Sequence, residues 1–128
     1  MTINDPDVVA ELSELYSQYE NALVANEVET LISMFWSGDQ VMRFGATENV
    51  YGPSDLAAFR RSRPTQNLAR AIKRLDIVSF DRDFASITLE FERATEAGPI
   101  RGRQSQVWVR LQEGWRIVQA HVSPLPAA

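Results

Sequence analysis

The chain of 128 residues is 45% hydrophobic and 23% charged, which is the make-up of one globular domain with room for a core and one small cavity. Thirteen basic against seventeen acidic side chains give a net charge of −4, which argues against a nucleic-acid binder, and no apolar run reaches the roughly 20 residues of a membrane span. There is no cysteine, which excludes disulfides, thiolate nucleophiles and thiolate metal sites and suits a reducing, cytoplasmic setting.

No stretch reads as a linker, repeat or low-complexity segment, so residues 1–128 are taken as a single domain. The opening residues, Met1 to Pro6, do not read as a secretory signal. Asp5 before Pro6 is a good helix start, because Pro is tolerated in the first turn and Asp caps free amides. Val8, Leu12, Leu15, Tyr16, Tyr19, Ala22 and Leu23 then recur at spacings of three and four and form one apolar stripe. Asn26 followed by Glu29 resembles a capping box and predicts a second helix with the stripe Val28, Leu31, Ile32 and Phe35, ending near Gly38. A short strand is predicted over 40–44. A third helix is opened by Gly52-Pro53-Ser54-Asp55 and closed by Pro64.

The second half changes period. Residues 72–80 read as a strand, turned by Asp81-Arg82-Asp83. Ala85, Ile87, Leu89 and Phe91 then alternate with polar residues in a half-buried strand. After a loop over 94–99, residues 100–111 and 115–122 form a hairpin around Gln112-Glu113-Gly114. Helices first and consecutive strands after predict an α+β fold in which a curved antiparallel sheet wraps around three helices and leaves a pocket at its open end.

Twelve of the thirteen basic residues are arginine, Lys73 being the exception. Genomic base composition explains such a bias without any function. The alternative is that some arginines grip carboxylates, since a planar guanidinium forks onto two oxygens.

Val41-Met42-Arg43-Phe44-Gly45-Ala46-Thr47-Glu48-Asn49, Tyr51-Gly52 and Phe59-Arg60-Arg61-Ser62-Arg63-Pro64, preceded by two helices, resemble the AtzH-like branch of the SnoaL-like superfamily. The ending Gly114-Trp115-Arg116-Ile117-Val118-Gln119-Ala120-His121-Val122-Ser123 is similar to the last strand of many such proteins. The resemblance covers essentially the whole chain. It implies the cone-shaped α+β fold of nuclear transport factor 2 and ketosteroid isomerase. It also implies a cofactor-independent, decarboxylating amidohydrolase acting on a small ureido acid, such as a dicarboxylated urea or an oxalurate-related compound. A tyrosine of the first helix and the arginine of the first strand carry the chemistry in that family, and these positions match Tyr19 and Arg43.

Read from the residues alone, Tyr19 lies on the apolar stripe and would suit a core tyrosine bonded to a backbone carbonyl; the resemblance makes it a proton donor. Arg43 faces away from Met42 and Phe44, and alternation does not say which face is the pocket. The resemblance makes it the carboxylate anchor. Leu56, Phe59, Arg60 and Arg63 follow helical spacing, so Arg60 and Arg63 share the buried stripe and Arg61 does not. Both also suit cations snorkelling at a helix C-terminus. His121, the one histidine, is expected near the pocket mouth. Ser105 is expected on the pocket side if Val107 and Val109 face the core. Arg60, Arg63, Ser105 and His121 are therefore candidate substrate contacts. One histidine and dispersed carboxylates predict no metal site, and no glycine-rich phosphate loop occurs.

Two readings of other classes stay open at this level. One is a noncatalytic anion-binding or assembly module. The other is an isomerase or dehydratase, for which His121 is the one plausible base. A homodimer through the convex sheet face is also expected, on the premise that Trp108 or its neighbours lie there.

Overall fold

The computed structural model describes residues 1–65 and 68–127. Two helices, α1 (Pro6–Ala25) and α2 (Val28–Ser33), are followed by the short strands β1 (Met42–Phe44) and β2 (Asn49–Tyr51) and the helix α3 (Gly52–Ser62). Four long strands complete the chain, β3 (Ala71–Phe80), β4 (Phe84–Arg93), β5 (Ile100–Leu111) and β6 (Gly114–Pro124).

The α1 helix begins as its sequence dictates. The Asp5 carboxylate accepts a hydrogen bond from the Asp7 amide at 3.0 Å, and Pro6 sits in the first turn. Its buried residues are Val8, Leu12, Tyr16, Tyr19, Ala22 and Leu23, the expected stripe with Leu15 at its margin. Asn26 does not start α2. It closes α1 in the left-handed conformation, with φ of 52°, which asparagine tolerates better than most residues. Only Glu27 remains to precede α2, and no side chain caps that helix. It is one short element, and Phe35 lies beyond it in a bridge to Ile117.

The six strands form one sheet in the order β2-β1-β6-β5-β4-β3. Every neighbouring pair is antiparallel except β1 and β6, which run parallel. Irregularities between Ile72 and Arg74 and between Val107 and Trp108 mark bulges, which bend strands and raise their twist. The helices cover one face. Against them the sheet buries Ala85, Ile87, Leu89 and Phe91 of β4, and Trp115, Ile117 and Ala120 of β6.

On β5 the inward set is Gly102, Gln104, Gln106 and Trp108. That parity corrects the expectation for Ser105 and, of Trp108 or its neighbours, puts the neighbours on the outer face. Trp108 is completely buried and donates from its indole to the Gln106 carbonyl at 2.9 Å, so it forms no part of the outer face. Ser105 points outward, directly opposite His121 on β6 and Thr88 on β4, since residues paired across a ladder share a face. Val107 and Val109 face out with it. A glutamine reads as a surface residue until its hydrogen-bond partners are known, and here they lie within the core. Among the described residues no helix is long and apolar enough to cross a membrane.

Candidate active site

Register places Arg43. It pairs with Val50 of β2 and Ala120 of β6, both buried on the helix side, so its side chain turns inward while Phe44 pairs with outward His121. A cavity of about 300 Å³ opens there. Its walls include Tyr19 from α1, Arg43 from β1, Phe59 and Arg63 from α3 and its end, Arg93 from β4 and Gln104 from β5. Glu48, from the turn between β1 and β2, completes the rim.

The Arg43 side chain is held on two sides. Its Nη1 donates to Glu48 Oε1 at 2.7 Å, and its guanidinium carbon lies 4.4 Å from the centre of the Phe59 ring. Gly45 leaves the space for this pair, because a Cβ there would run into the Glu48 carboxylate. Burial and the neighbouring charge of Arg60 lower the pKa of Arg43, although Glu48 and Tyr19 act the other way. Burial pushes the Glu48 carboxyl up, but hydrogen bonds from Thr47 and Arg43 outweigh it and hold Glu48 below its usual value.

Tyr19 is 3% exposed, and its hydroxyl accepts a hydrogen bond from Arg60 Nη2 at 2.8 Å. Arg60 is itself 1% exposed, wedged between the Phe35 and Phe59 rings, and pairs with no carboxylate among the described residues. A guanidinium can only donate, so this contact occupies a lone pair of the Tyr19 oxygen and leaves its proton free. No acceptor for that proton is found among the described residues. Arg63 lies near the same group. Burial, then the charges of Arg60 and Arg43, push its pKa down to about 10.

Beside the cavity, sharing Arg70 and Gln104 with its wall, a second cluster is closed. Tyr16 donates to Glu20 at 2.8 Å and accepts from Gln104 at 3.0 Å. Arg70 holds Glu20 through Nε and Nη2, each at 2.8 Å, and reaches Gln104 at 2.9 Å. Its guanidinium carbon lies 4.3 Å over the Phe91 ring, which fits because Gly102 directly opposite has no side chain. Burial alone would raise Glu20 and lower Arg70; their mutual hydrogen bonds and charges reverse both directions. Burial and then the Glu20 charge push the Tyr16 phenol well above its ordinary value.

Of the residues singled out in the sequence, Tyr19, Arg43, Arg60 and Arg63 thus come together. Ser105 and His121 do not. They flank a separate depression of about 270 Å³ on the outer face with Arg103 and Ser123: Ser105 because the β5 parity is opposite to the one expected, His121 because it is paired with Ser105 on that face. Arg61 points to solvent and pairs with Glu29 at 2.8 Å. Sequence reasoning missed Glu48, Arg70, Arg93 and Gln104. Arg93 was within reach, since it continues the inward series Ala85, Ile87, Leu89 and Phe91 by one step. Among the described residues no group of three or more His, Asp or Glu side chains is placed to hold a metal ion.

A family model described as AtzH-like matches residues 1–128. The chain belongs to the AtzH-like family. Among solved structures, this AtzH-like chain is 40% identical to a protein of unknown function from Pectobacterium atrosepticum, with a TM-score of 0.92 and coverage of 97% of this chain and 95% of that one. It is 35% identical to a cystatin-like fold protein from Burkholderia xenovorans, with a TM-score of 0.91 over 100% of this chain and 99% of that one. A putative ketosteroid isomerase from Parabacteroides distasonis is 17% identical, with a TM-score of 0.68 over 88% of this chain and 86% of that one; that likeness carries the fold alone. The fold is therefore the nuclear transport factor 2-like, SnoaL-type α+β fold. No curated protein matches the chain.

Proposed function

We propose that the protein is a cofactor-independent amidohydrolase that cleaves a C–N bond of a small ureido-carboxylate, such as a dicarboxylated urea or an oxalurate-related compound. The observation that carries this reading is the Tyr19 hydroxyl, which accepts from buried Arg60 and keeps its proton for the cavity. Membership of the AtzH-like family supports the substrate class.

Arg43 receives a substrate carboxylate or polarises the carbonyl, with Phe59 keeping its guanidinium flat and partly desolvated. Water bonds to the carbonyl carbon as the C–N bond breaks. The departing nitrogen takes the Tyr19 proton, and the proton lost by water restores the phenol. Arg60 positions the hydroxyl and offsets negative charge on its oxygen during the exchange. Orientation and fixed charge supply the catalysis, so no covalent intermediate is required.

An isomerase or dehydratase needs a free base in the cavity. His121 is outside it, and Glu48 is tied to Arg43 and Thr47. Purified protein incubated with dicarboxylated urea and with oxalurate should release ammonia or bicarbonate in step with substrate loss. Complete absence of turnover on every small ureido acid tried, together with measurable anion binding, would leave a binding module. Arg43→Lys retains the charge and loses the planar fork, so KM should rise, with kcat falling too if the fork also holds charge in the transition state. Unchanged kinetics in that variant would remove Arg43 from the site.

A further inference from the structure

Among the described residues Glu48 is the one carboxylate bonded to Arg43, and it sits at the rim of the cavity. Its side chain is 28% exposed against 9% for Arg43, so it stands between the guanidinium and solvent. Both of its oxygens are used. Oε1 accepts from Arg43 Nη1 at 2.7 Å, while Oε2 accepts from the Thr47 hydroxyl at 2.7 Å and the Thr47 amide at 3.3 Å. The turn that carries it is closed by the Gly45 amide, which donates to the Glu48 carbonyl at 3.0 Å. A carboxylate anchored at both oxygens constrains the arginine bonded to it.

The constraint is selective. In a guanidinium, Nε and Nη2 point to the same side and form one two-point edge, and Nη1 lies outside it. Glu48 takes Nη1, and neither Nε nor Nη2 of Arg43 donates to any described residue. Phe59 covers one face of the same group. Nearby charge pulls the other way, since Arg60 repels Arg43 and Arg63 feels both cations. Gly45 adds a second observation. It has no positive φ that would call for glycine, yet a Cβ there would run into the Glu48 carboxylate and come within 3.0 Å of Arg43 Nη1. The missing side chain is what lets the ion pair form.

We propose that Glu48 is a positioning residue, which pins Arg43 by Nη1 so that its Nε/Nη2 edge is presented to the cavity as a fixed two-point grip. The role rests on the reading of Arg43 as the substrate anchor. Glu48 itself exchanges no proton and touches no substrate.

Three variants separate aim from charge. Glu48→Ala removes acceptor and charge, Glu48→Gln restores an acceptor without the charge, and Gly45→Ala keeps every charge but makes the Glu48 carboxylate move. With a ureido acid as substrate, kcat should fall about tenfold or more in Glu48→Ala and by a smaller factor in Glu48→Gln and Gly45→Ala. KM should not rise in Glu48→Ala, because a freed cation still attracts the anion. Nitrogen-correlated NMR reads the aim without turnover. The two Nη groups of an arginine give separate signals only while rotation about Nε–Cζ is slow, and the signals that vanish in Arg43→Lys belong to Arg43. They should be separate in the wild type and averaged in Glu48→Ala and Gly45→Ala. Averaged signals in the wild type, or separate ones in Glu48→Ala, would overturn the role. A higher kcat in Glu48→Ala would make Glu48 a competitor for the anchor and overturn it too. Equal losses in Glu48→Ala and Glu48→Gln with full rate in Gly45→Ala would reduce the effect to charge. If Glu48→Ala does not fold, Gly45→Ala decides by the same rate and the same signals. Signals that behave as expected without hydrolysis of any ureido acid would sink the amidohydrolase reading alone; hydrolysis with kcat unchanged in all three variants would sink the positioning role alone.

Discussion

Tyr16 and Tyr19 stand one turn apart on the same face of α1, with ring centroids 5.7 Å apart, and each meets a buried arginine. Their surroundings differ in one respect. Around Tyr16 every charge is answered and the hydroxyl both donates and accepts, through Glu20, Gln104 and Arg70. Around Tyr19 the arginine has no carboxylate and the phenolic proton has no acceptor among the described residues. A closed network holds a fold; an open one costs stability and is ready for a ligand. On the proposed reading the same two residue types serve as scaffold on one turn and as site on the next.

That contrast is sharpest under substitution. Tyr19→Phe should lower kcat by about 10²–10⁴-fold with an unfolding temperature near that of the wild type, since one hydroxyl leaves and the ring stays. Full turnover in this variant would return Tyr19 to the scaffold. Glu20→Gln should do the opposite. It leaves Arg70, 2% exposed in its side chain, without a countercharge and should cost about 3 kcal/mol of stability in thermal or urea unfolding. Because the folded pKa of Glu20 lies below the unfolded one, its contribution is present above the ordinary carboxylate range and is lost as pH falls through the lower, folded value. Wild-type stability should therefore fall on that acid limb, and Glu20→Gln should flatten it; an unchanged limb would place the linkage elsewhere. The smallest effect is expected for Tyr16→Phe, about 1–2 kcal/mol of stability, with turnover of the folded fraction retained. A rate loss in Tyr16→Phe as large as in Tyr19→Phe would erase the distinction between the two turns.

Periodicity made most of the fold legible. The α1 stripe, the alternation of β4 and the turn residues around Gly114 each identify their element without reference to anything distant. The site was legible only in part. Tyr19 and Arg60 lie on helical stripes whose inward face declares itself; Arg63 fits the same spacing in sequence but stands just past α3 in an extended conformation. Arg43 sits in a strand of three residues, too short to show which face is buried, and its pairing with Val50 and Ala120 decides it. On β5 the valines suggested the wrong parity, because buried Gln104 depends on a partner far away in sequence, while Gln106 is held by Trp108 two residues along the strand. Gln104 bonds to Tyr16, 88 positions earlier. Arg70 owes its role to Glu20, 50 positions away. Such contacts leave no local signature.

The single parallel pairing of the sheet has a consequence for biosynthesis. β1 leaves the ribosome early, yet its Arg43 is fixed against Ala120 of β6, so most of the described chain is made before that strand has its long-range partner. β2 is its one neighbour until then, in a ladder of three residue pairs, too few to hold a hairpin by itself. The arginine-lined cavity therefore comes into being only after synthesis reaches β6. Nascent chains carry the arginines without the cavity, so a small anion that binds there would act on the finished fold alone, stabilising it by mass action as its concentration rises.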